Sequence, residues 1–175
     1  MGNGMIIYQS KYGATKKYVD WLVEETGFDC VSAKSADIHK VNKYDIIILA
    51  GGIYASGIAG LSFLRKNIEL LKMKKVAVLC VGASPFEEEA FVQVYERNFK
   101  DALQGIPCYY GRGAWNEEAM SFKDRTLCRL LQKAVAKQDP ATYEPWQKAL
   151  MCTVGRTCDW TDRRYLQPLI EWINS

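Results

Sequence analysis

The stretch Ser10-Lys11-Tyr12-Gly13-Ala14-Thr15 sets two hydroxyls and a glycine between an apolar run, Met5–Gln9, and a helical pattern, Ala14–Glu25. A strand that feeds a short turn at a helix N-terminus presents unpaired backbone N–H groups, and these attract an anion. Ser10 and Thr15 add hydroxyls, and Gly13 exposes its backbone. The turn therefore reads as a cradle for one phosphate that needs no metal. It has neither the three glycines of a dinucleotide fingerprint nor the Gly-Lys-Ser/Thr ending of a P-loop. Further glycine-containing turns follow apolar runs at Gly51–Gly57, Gly82–Pro85 and Gly111–Trp115, with Tyr54, Tyr110 and Trp115 as aromatic flanks. Aromatic walls around a phosphate turn suit a flat ring joined to one phosphate.

These turns need a scaffold that brings them together. Apolar runs at Met5–Gln9, Asp29–Ser32, Tyr44–Ala50, Lys75–Val81 and Pro107–Tyr110 read as strands, the consecutive isoleucines of the third marking a strand buried on both faces. Helical patterns fall between them at Ala14–Glu25, Gly60–Leu71 and Glu87–Leu103. Such alternation predicts an α/β fold, a five-stranded parallel sheet with helices on both faces. Ligands of an open parallel sheet bind beyond the carboxyl ends of the strands, where all four turns lie. The chain reads as one domain, 1–175. Its last third predicts a helical insertion after the fifth strand, about 116–158. Phe122–Lys137 carries Leu127, Leu130, Leu131 and Val135 at helical spacing among Lys123, Arg125, Arg129, Lys133 and Lys137. The prolines of QDPATYEPWQ then break the pattern, and Trp160–Ile173, with Pro168 inside it, reads as the final helix.

Composition narrows the function classes. Hydrophobic residues at 49% and charged residues at 25% match a globular protein rather than a disordered one. A formal net charge of +3 favours anionic ligands but is too small to indicate nucleic acid. The six cysteines (30, 80, 108, 128, 152 and 158) form no Cys-x-x-Cys pair and there is one histidine, so no metal site is expected. Cys80 and Cys108 read as small buried hydrophobes, and Cys152 and Cys158 as two free thiols or, alternatively, a bridge. The first residues show no signal pattern, and Ile6 stands where a myristoylation motif wants Ser or Thr. Ile46–Leu64 carries no charge over a length that could span a bilayer, but its glycines divide it into a strand, a loop and a helix start. A cytoplasmic location is expected.

Other chemistries fit less well. A phospho-accepting receiver domain needs acidic strand ends, which here are Gln9-Ser10 and Ala50-Gly51. Cys158 and Arg164 have the spacing of a cysteine phosphatase, yet Asp159 and Asp162 would repel phosphate. His39 reads as a surface residue, and Glu87–Glu89 as charges suited to a helix start. Arg112, among strand-end glycines, is either a solvated loop residue or a fixed cation that stabilises a reduced anionic ring or a substrate carboxylate.

The turn at Ser10, Gly13 and Thr15, with the order of the βα units, resembles the flavodoxin superfamily, whose phosphate loop reads Ser/Thr-x-Thr-Gly-x-Thr. The sequence departs from it at Tyr12, where a hydroxyl donor becomes a phenol. The resemblance implies a flavodoxin-like fold and FMN as cofactor. Ser10, Lys11, Tyr12, Gly13, Ala14 and Thr15 would hold its phosphate, and Tyr54 and Trp115 would flank the isoalloxazine. Gly52, Ile53 and Ala55 would stand beside Tyr54. Gly82, Ala83 and Ser84 would approach the ring edge, and Gly111, Arg112 and Gly113 would complete the fourth loop. Within the superfamily the chain is similar to menaquinone-dependent protoporphyrinogen dehydrogenases, in the missing middle threonine, the basic-apolar insertion and the stretch CDWTDRR. Their second loop has no obvious counterpart at Gly52–Gly57. That similarity implies an FMN-dependent oxidoreductase acting on protoporphyrinogen, with a small-molecule quinone as acceptor. A flavodoxin-type electron carrier that docks a redox protein partner, and an interaction module without flavin, are the alternatives. A basic helix with an apolar stripe, as at 122–137, either packs its stripe on the core or makes peripheral contact with the inner face of a membrane.

Overall fold

The computed structural model describes residues 2–175. β1 (Gly4–Gln9), α1 (Ala14–Thr26), β2 (Asp29–Ser32), a one-turn α2 (Ile38–Val41) and β3 (Ile46–Tyr54) come first. β4 (Gly57–Ile58), α3 (Leu61–Leu71), β5 (Lys75–Gly82), α4 (Glu88–Asn98) and β6 (Cys108–Arg112) follow. The chain closes with β7 (Ala114–Trp115), α5 (Phe122–Val135), α6 (Pro145–Cys152), β8 (Cys158–Asp159) and α7 (Gln167–Asn174). The main strands run parallel in the order β2-β1-β3-β5-β6, and β4 adds an antiparallel edge to the end of β3. This is the α/β fold that the alternation predicts. The strand order reverses beside β1, so the connections that leave β1 and β3 diverge to opposite faces of the sheet, and this is the switch point where such sheets bind ligands.

Period-two alternation divides the core into two layers. Ile7, Ile47, Leu49 and Val78 face Leu61, Leu64, Ile68 and Leu71 of α3 on one side. Ile6, Ile48, Leu79 and Val81 face Tyr18, Val19 and Leu22 of α1 and Leu169 and Ile173 of α7 on the other. The burial of β3 and β5 on both faces explains why their sequences are apolar without alternation.

Several boundaries differ from expectation, each for a physical reason. β3 does not stop at Ala50 but runs through Gly51 and Gly52 to Tyr54. A Cβ on Gly51 would stand 2.0 Å from the carbonyl oxygen of Ala59, so glycine here admits a close backbone approach. The hairpin into β4 turns at Ala55 and Ser56, both at positive φ (47° and 65°). Turns of that kind normally use Asn or Gly. The buried side chain of Asn98 supplies the missing support. Its amide nitrogen donates to the carbonyls of Ser56 (2.7 Å) and Val94 (2.8 Å), and its oxygen accepts from the Ile58 amide (3.1 Å). Asn98→Ala would strand these groups, and it is expected to cost about 3 kcal/mol in urea unfolding.

The expected helix over Trp160–Ile173 is instead an irregular stretch at Trp160–Asp162, following β8, then a 3-10 turn at Arg163–Leu166, and α7. Pro168 thus lies in the first turn of α7, where a missing N–H costs nothing. Pro140 and Pro145 likewise begin a 3-10 turn and α6 rather than breaking a helix. β8 pairs antiparallel with β7, Trp115 opposite Cys158, and this ribbon closes the base of the insertion. α4 ends at Asn98, short of the expected Leu103, and Gly111 and Arg112 belong to β6 rather than to the loop after it.

The insertion helix α5 does not bury most of its stripe. Val135 is buried, but Leu127 is 62% and Leu130 59% exposed, with Leu131 and Phe122 also in solvent. No helix among the described residues is long and apolar enough to cross a membrane. All six cysteines are free.

Candidate functional site

At the carboxyl ends of β1, β3, β5 and β6 the four turns enclose a cavity of about 400 Å³. Its first wall is the turn after β1. Ser10 does not point its hydroxyl outward. Its Oγ accepts from the amides of Gly13 (3.2 Å) and Lys16 (3.3 Å), which folds the turn back on itself as a cap for α1. Gly13 takes φ 96°, a left-handed conformation that glycine adopts without strain. The amides of Tyr12, Ala14 and Thr15 have no hydrogen-bond partner among the described residues. Those of Ala14 and Thr15 are the free N–H groups of the first turn of α1. Thr15 is 3% exposed and lines the cavity. Its hydroxyl enters no hydrogen bond among the described residues.

The second wall comes from Gly52, Ile53, Tyr54 and Ala55. The Tyr54 ring lies over Gly52, where a Cβ would come within 2.8 Å of it. The third comes from Gly82 and Ala83 after β5, and the fourth from Gly113, Ala114 and Trp115. Trp115 buries its indole Nε1–H with no hydrogen-bond partner among the described residues. A buried unpaired donor in a cavity wall is costly unless a ligand accepts from it.

The remaining predicted residues lie elsewhere. Ser84 lines an adjoining cavity with Phe86, Tyr110 and Trp146. Gly111 makes room for the Tyr18 ring, whose hydroxyl donates to the Arg112 carbonyl at 2.6 Å. Burial raises the Tyr18 phenol to about 12, so it keeps that proton throughout the physiological range. Arg112 is a fixed rather than a solvated cation, but it stands outside the cavity lining. Its guanidinium stacks on Trp160 at 4.3 Å and its Nε donates to the Ala83 carbonyl.

The sequence reading missed the roof. Met120, Asp124, Leu127 and Cys128, from the insertion, complete the lining. Lys11 Nζ and Tyr12 Oη both donate to the Asp124 carboxylate, and Tyr12 Oη accepts from the Ser121 amide. Ser121 in turn caps α5 through the Asp124 amide. The Lys11 and Tyr12 bonds hold the Asp124 carboxyl below its ordinary range. Tyr12 therefore ties the insertion to the turn. Burial raises the thiol pKa of Cys128 beneath it. Removing the tie with Tyr12→Phe is expected to speed alkylation of Cys128 about tenfold, the scale of one hydrogen bond to a charged group. Peptide mapping by mass spectrometry would read this site separately from the other thiols.

Residues 5–142 match a family model described as a flavodoxin domain. Comparison with curated proteins finds no match. Among solved structures, the Trp repressor binding protein of Bacillus subtilis is 17% identical, with a TM-score of 0.48 over 63% of this chain and 85% of its own. Megasphaera elsdenii flavodoxin, in its two-electron reduced form, is 20% identical, with a TM-score of 0.43 over 61% and 82%. A flavoprotein from Lactobacillus acidophilus, solved in complex with FMN, is 16% identical, with a TM-score of 0.45 over 64% and 93%. The family match begins in β1, takes in every strand of the parallel sheet and runs into the insertion, so this chain belongs to the flavodoxin domain family.

Proposed function

We propose that the protein binds FMN in the strand-end cavity and uses it for oxidoreduction. The observation that carries this reading is the pairing, in one cavity, of the unpartnered Trp115 Nε1–H with the free amides of the Ser10–Thr15 turn. The residues fit the cofactor. The amides of Tyr12, Ala14 and Thr15 and the Thr15 hydroxyl would hold the phosphate, aided by the positive end of α1. Tyr54 and Trp115 would pack against the ring, and the Trp115 indole would donate to one of its acceptors. When bound, FMN supplies electron or hydride transfer, and the chain supplies orientation and exclusion of water. Met120, Leu127 and Cys128 of the insertion perform that exclusion from above. Asp124 neutralises Lys11, so the phosphate would be held by backbone dipoles more than by a free cation.

The finer reading is an enzyme that passes electrons from protoporphyrinogen to a quinone. Its support is the insertion and the apolar side chains left in solvent near the cavity. Leu127 lines it, and Phe86 and Trp146 line the adjoining cavity, which shares Ile53, Gly82 and Ala83 with it. A large apolar donor would meet these first. The same exposed face of α5, with Lys123 beside Phe122, Leu127 and Leu130, suits contact with an anionic membrane surface, where quinones dissolve.

The test begins with purified protein loaded with FMN and freed of excess. A retained visible flavin band, with FMN in the released ligand, is expected. Adding protoporphyrinogen and a menaquinone analogue with lipid vesicles should then give quinone-dependent oxidation. Retained FMN with no such oxidation would leave the electron-carrier reading and remove that substrate.

A further inference from the structure

The insertion also builds a second concavity, of about 520 Å³, that shares no lining residue with the strand-end cavity. α5 stands between the two. Asp124, Leu127 and Cys128 face the strand-end cavity, while Arg125, Arg129, Gln132 and Lys133 face the second groove. Across it lie Met151, Val154 and Arg156, from the end of α6 and the turn towards β8.

The charges of this groove do not cancel. Arg125 spends its hydrogen bonds on the carbonyls of Glu117 (3.0 Å), Glu118 (2.7 Å) and Met120 (3.2 Å), which fix the guanidinium in place but leave its charge uncompensated. Arg129 pairs with the Glu117 carboxylate. Lys133 and Arg156 have no partner among the described residues, and the four cations outnumber the two carboxylates of Glu117 and Glu118. The lining is also partly apolar, through Ala136, Met151 and Val154. Gln132, only 7% exposed, is held by a bond from its Nε2 to Thr153 at 3.4 Å. Its Oε1 has no partner among the described residues.

Cations spread over a convex surface are ordinary solvated groups. Here unpaired cations converge on a concave, half-apolar site around a buried amide with a spare acceptor. We propose that this groove binds a small amphipathic organic anion, an apolar body carrying a phosphate or carboxylate, at a site separate from the flavin cavity. Lys133, Arg156 and the fixed Arg125 would meet the anionic group, Met151 and Val154 the apolar body, and Gln132 Oε1 a hydroxyl of the ligand.

Isothermal titration at low salt with octyl phosphate, below its micelle concentration, tests this, with inorganic phosphate as the headgroup alone. The protein carries Thr15→Asp, which closes the Ser10–Thr15 cradle to phosphate whether or not that cradle serves FMN. Octyl phosphate is expected to bind, more tightly than inorganic phosphate. Adding Lys133→Ala and Arg156→Ala, both exposed and free of structural bonds, is expected to weaken it at least about tenfold. No binding in the Thr15→Asp background, or the same affinity with both cations removed, would overturn the proposal. So would binding only to vesicles of anionic lipid, since the face would then recognise a membrane rather than a soluble anion.

Discussion

Thr15→Asp should weaken FMN binding at least about 100-fold, the effect of setting a like charge within about 4 Å of a phosphate at a partly screened site. Thr15 is buried in the first turn of α1 and lines the strand-end cavity. An aspartate there would stand beside the same free amides that the cofactor phosphate needs, and would occupy them. The position also makes the variant informative. A carboxylate in the first turn of a helix is favoured by the dipole, and the free amides beside position 15 would bond it and offset its desolvation, so α1 should keep its stability. The combination of unchanged thermal unfolding with lost flavin affinity is the expected signature. Thr15→Ala, which removes only the hydroxyl, should give a smaller loss. Equal affinity in all three proteins, by quenching of flavin fluorescence, would put the phosphate elsewhere.

The largest expected effect on stability is at Gly51→Ala. A single methyl group would stand 2.0 Å from the Ala59 carbonyl oxygen, with the Ile58 side chain at 3.1 Å. Backbone cannot yield as a side chain tip can. β3 is the central strand, paired with β1 and β5, so it cannot move away either. Overpacking of this kind against fixed backbone is expected to cost about 3–5 kcal/mol. At this chain length that is a fall of roughly 10 °C in the unfolding midpoint. Gly27→Ala provides a contrast, since no atom lies within 4 Å of its Cβ and only the left-handed φ of 69° is disturbed. A small change at Gly51 in the same calorimetric comparison would show that β3 and the Ala59 segment separate easily.

Local chemistry in the sequence reaches as far as the strands and the first turn. The isoleucine run of β3, the valines of β5 and the amphipathic faces of α1 and α3 are dictated by residues near one another, and they read correctly. The features that differ depend on partners far along the chain. Gly51 and Gly52 are an exception, since their neighbours Ala59 and Tyr54 are close in sequence, but they look like a loop until the hairpin into β4 folds Ala59 back onto Gly51. Ala55-Ser56 has no turn signature of its own, because Asn98 holds the hairpin from α4. Trp160 carries a helical pattern, but pairing of β8 with β7 overrides it, and its amide donates to the Gly113 carbonyl at 3.0 Å. The roof of the cavity was illegible for the same reason. Asp124 reads as a residue in the first turn of an amphipathic helix, and nothing nearby announces that it will meet Lys11 and Tyr12. Tyr12 itself reads as a lost hydroxyl in a phosphate turn, whereas its phenol is what anchors the insertion.

Titration of flavin-free protein with FMN and, separately, with riboflavin tests the central claim most directly. The two ligands share the ring and ribityl chain and differ by the phosphate. If the free amides of the Ser10–Thr15 turn hold that phosphate, FMN should quench on binding and riboflavin should bind at least about tenfold more weakly, since bonds to a charged group contribute about 1.5–3 kcal/mol each. Equal affinity for the two flavins, or no binding of either, would contradict the assignment of this turn as the phosphate cradle.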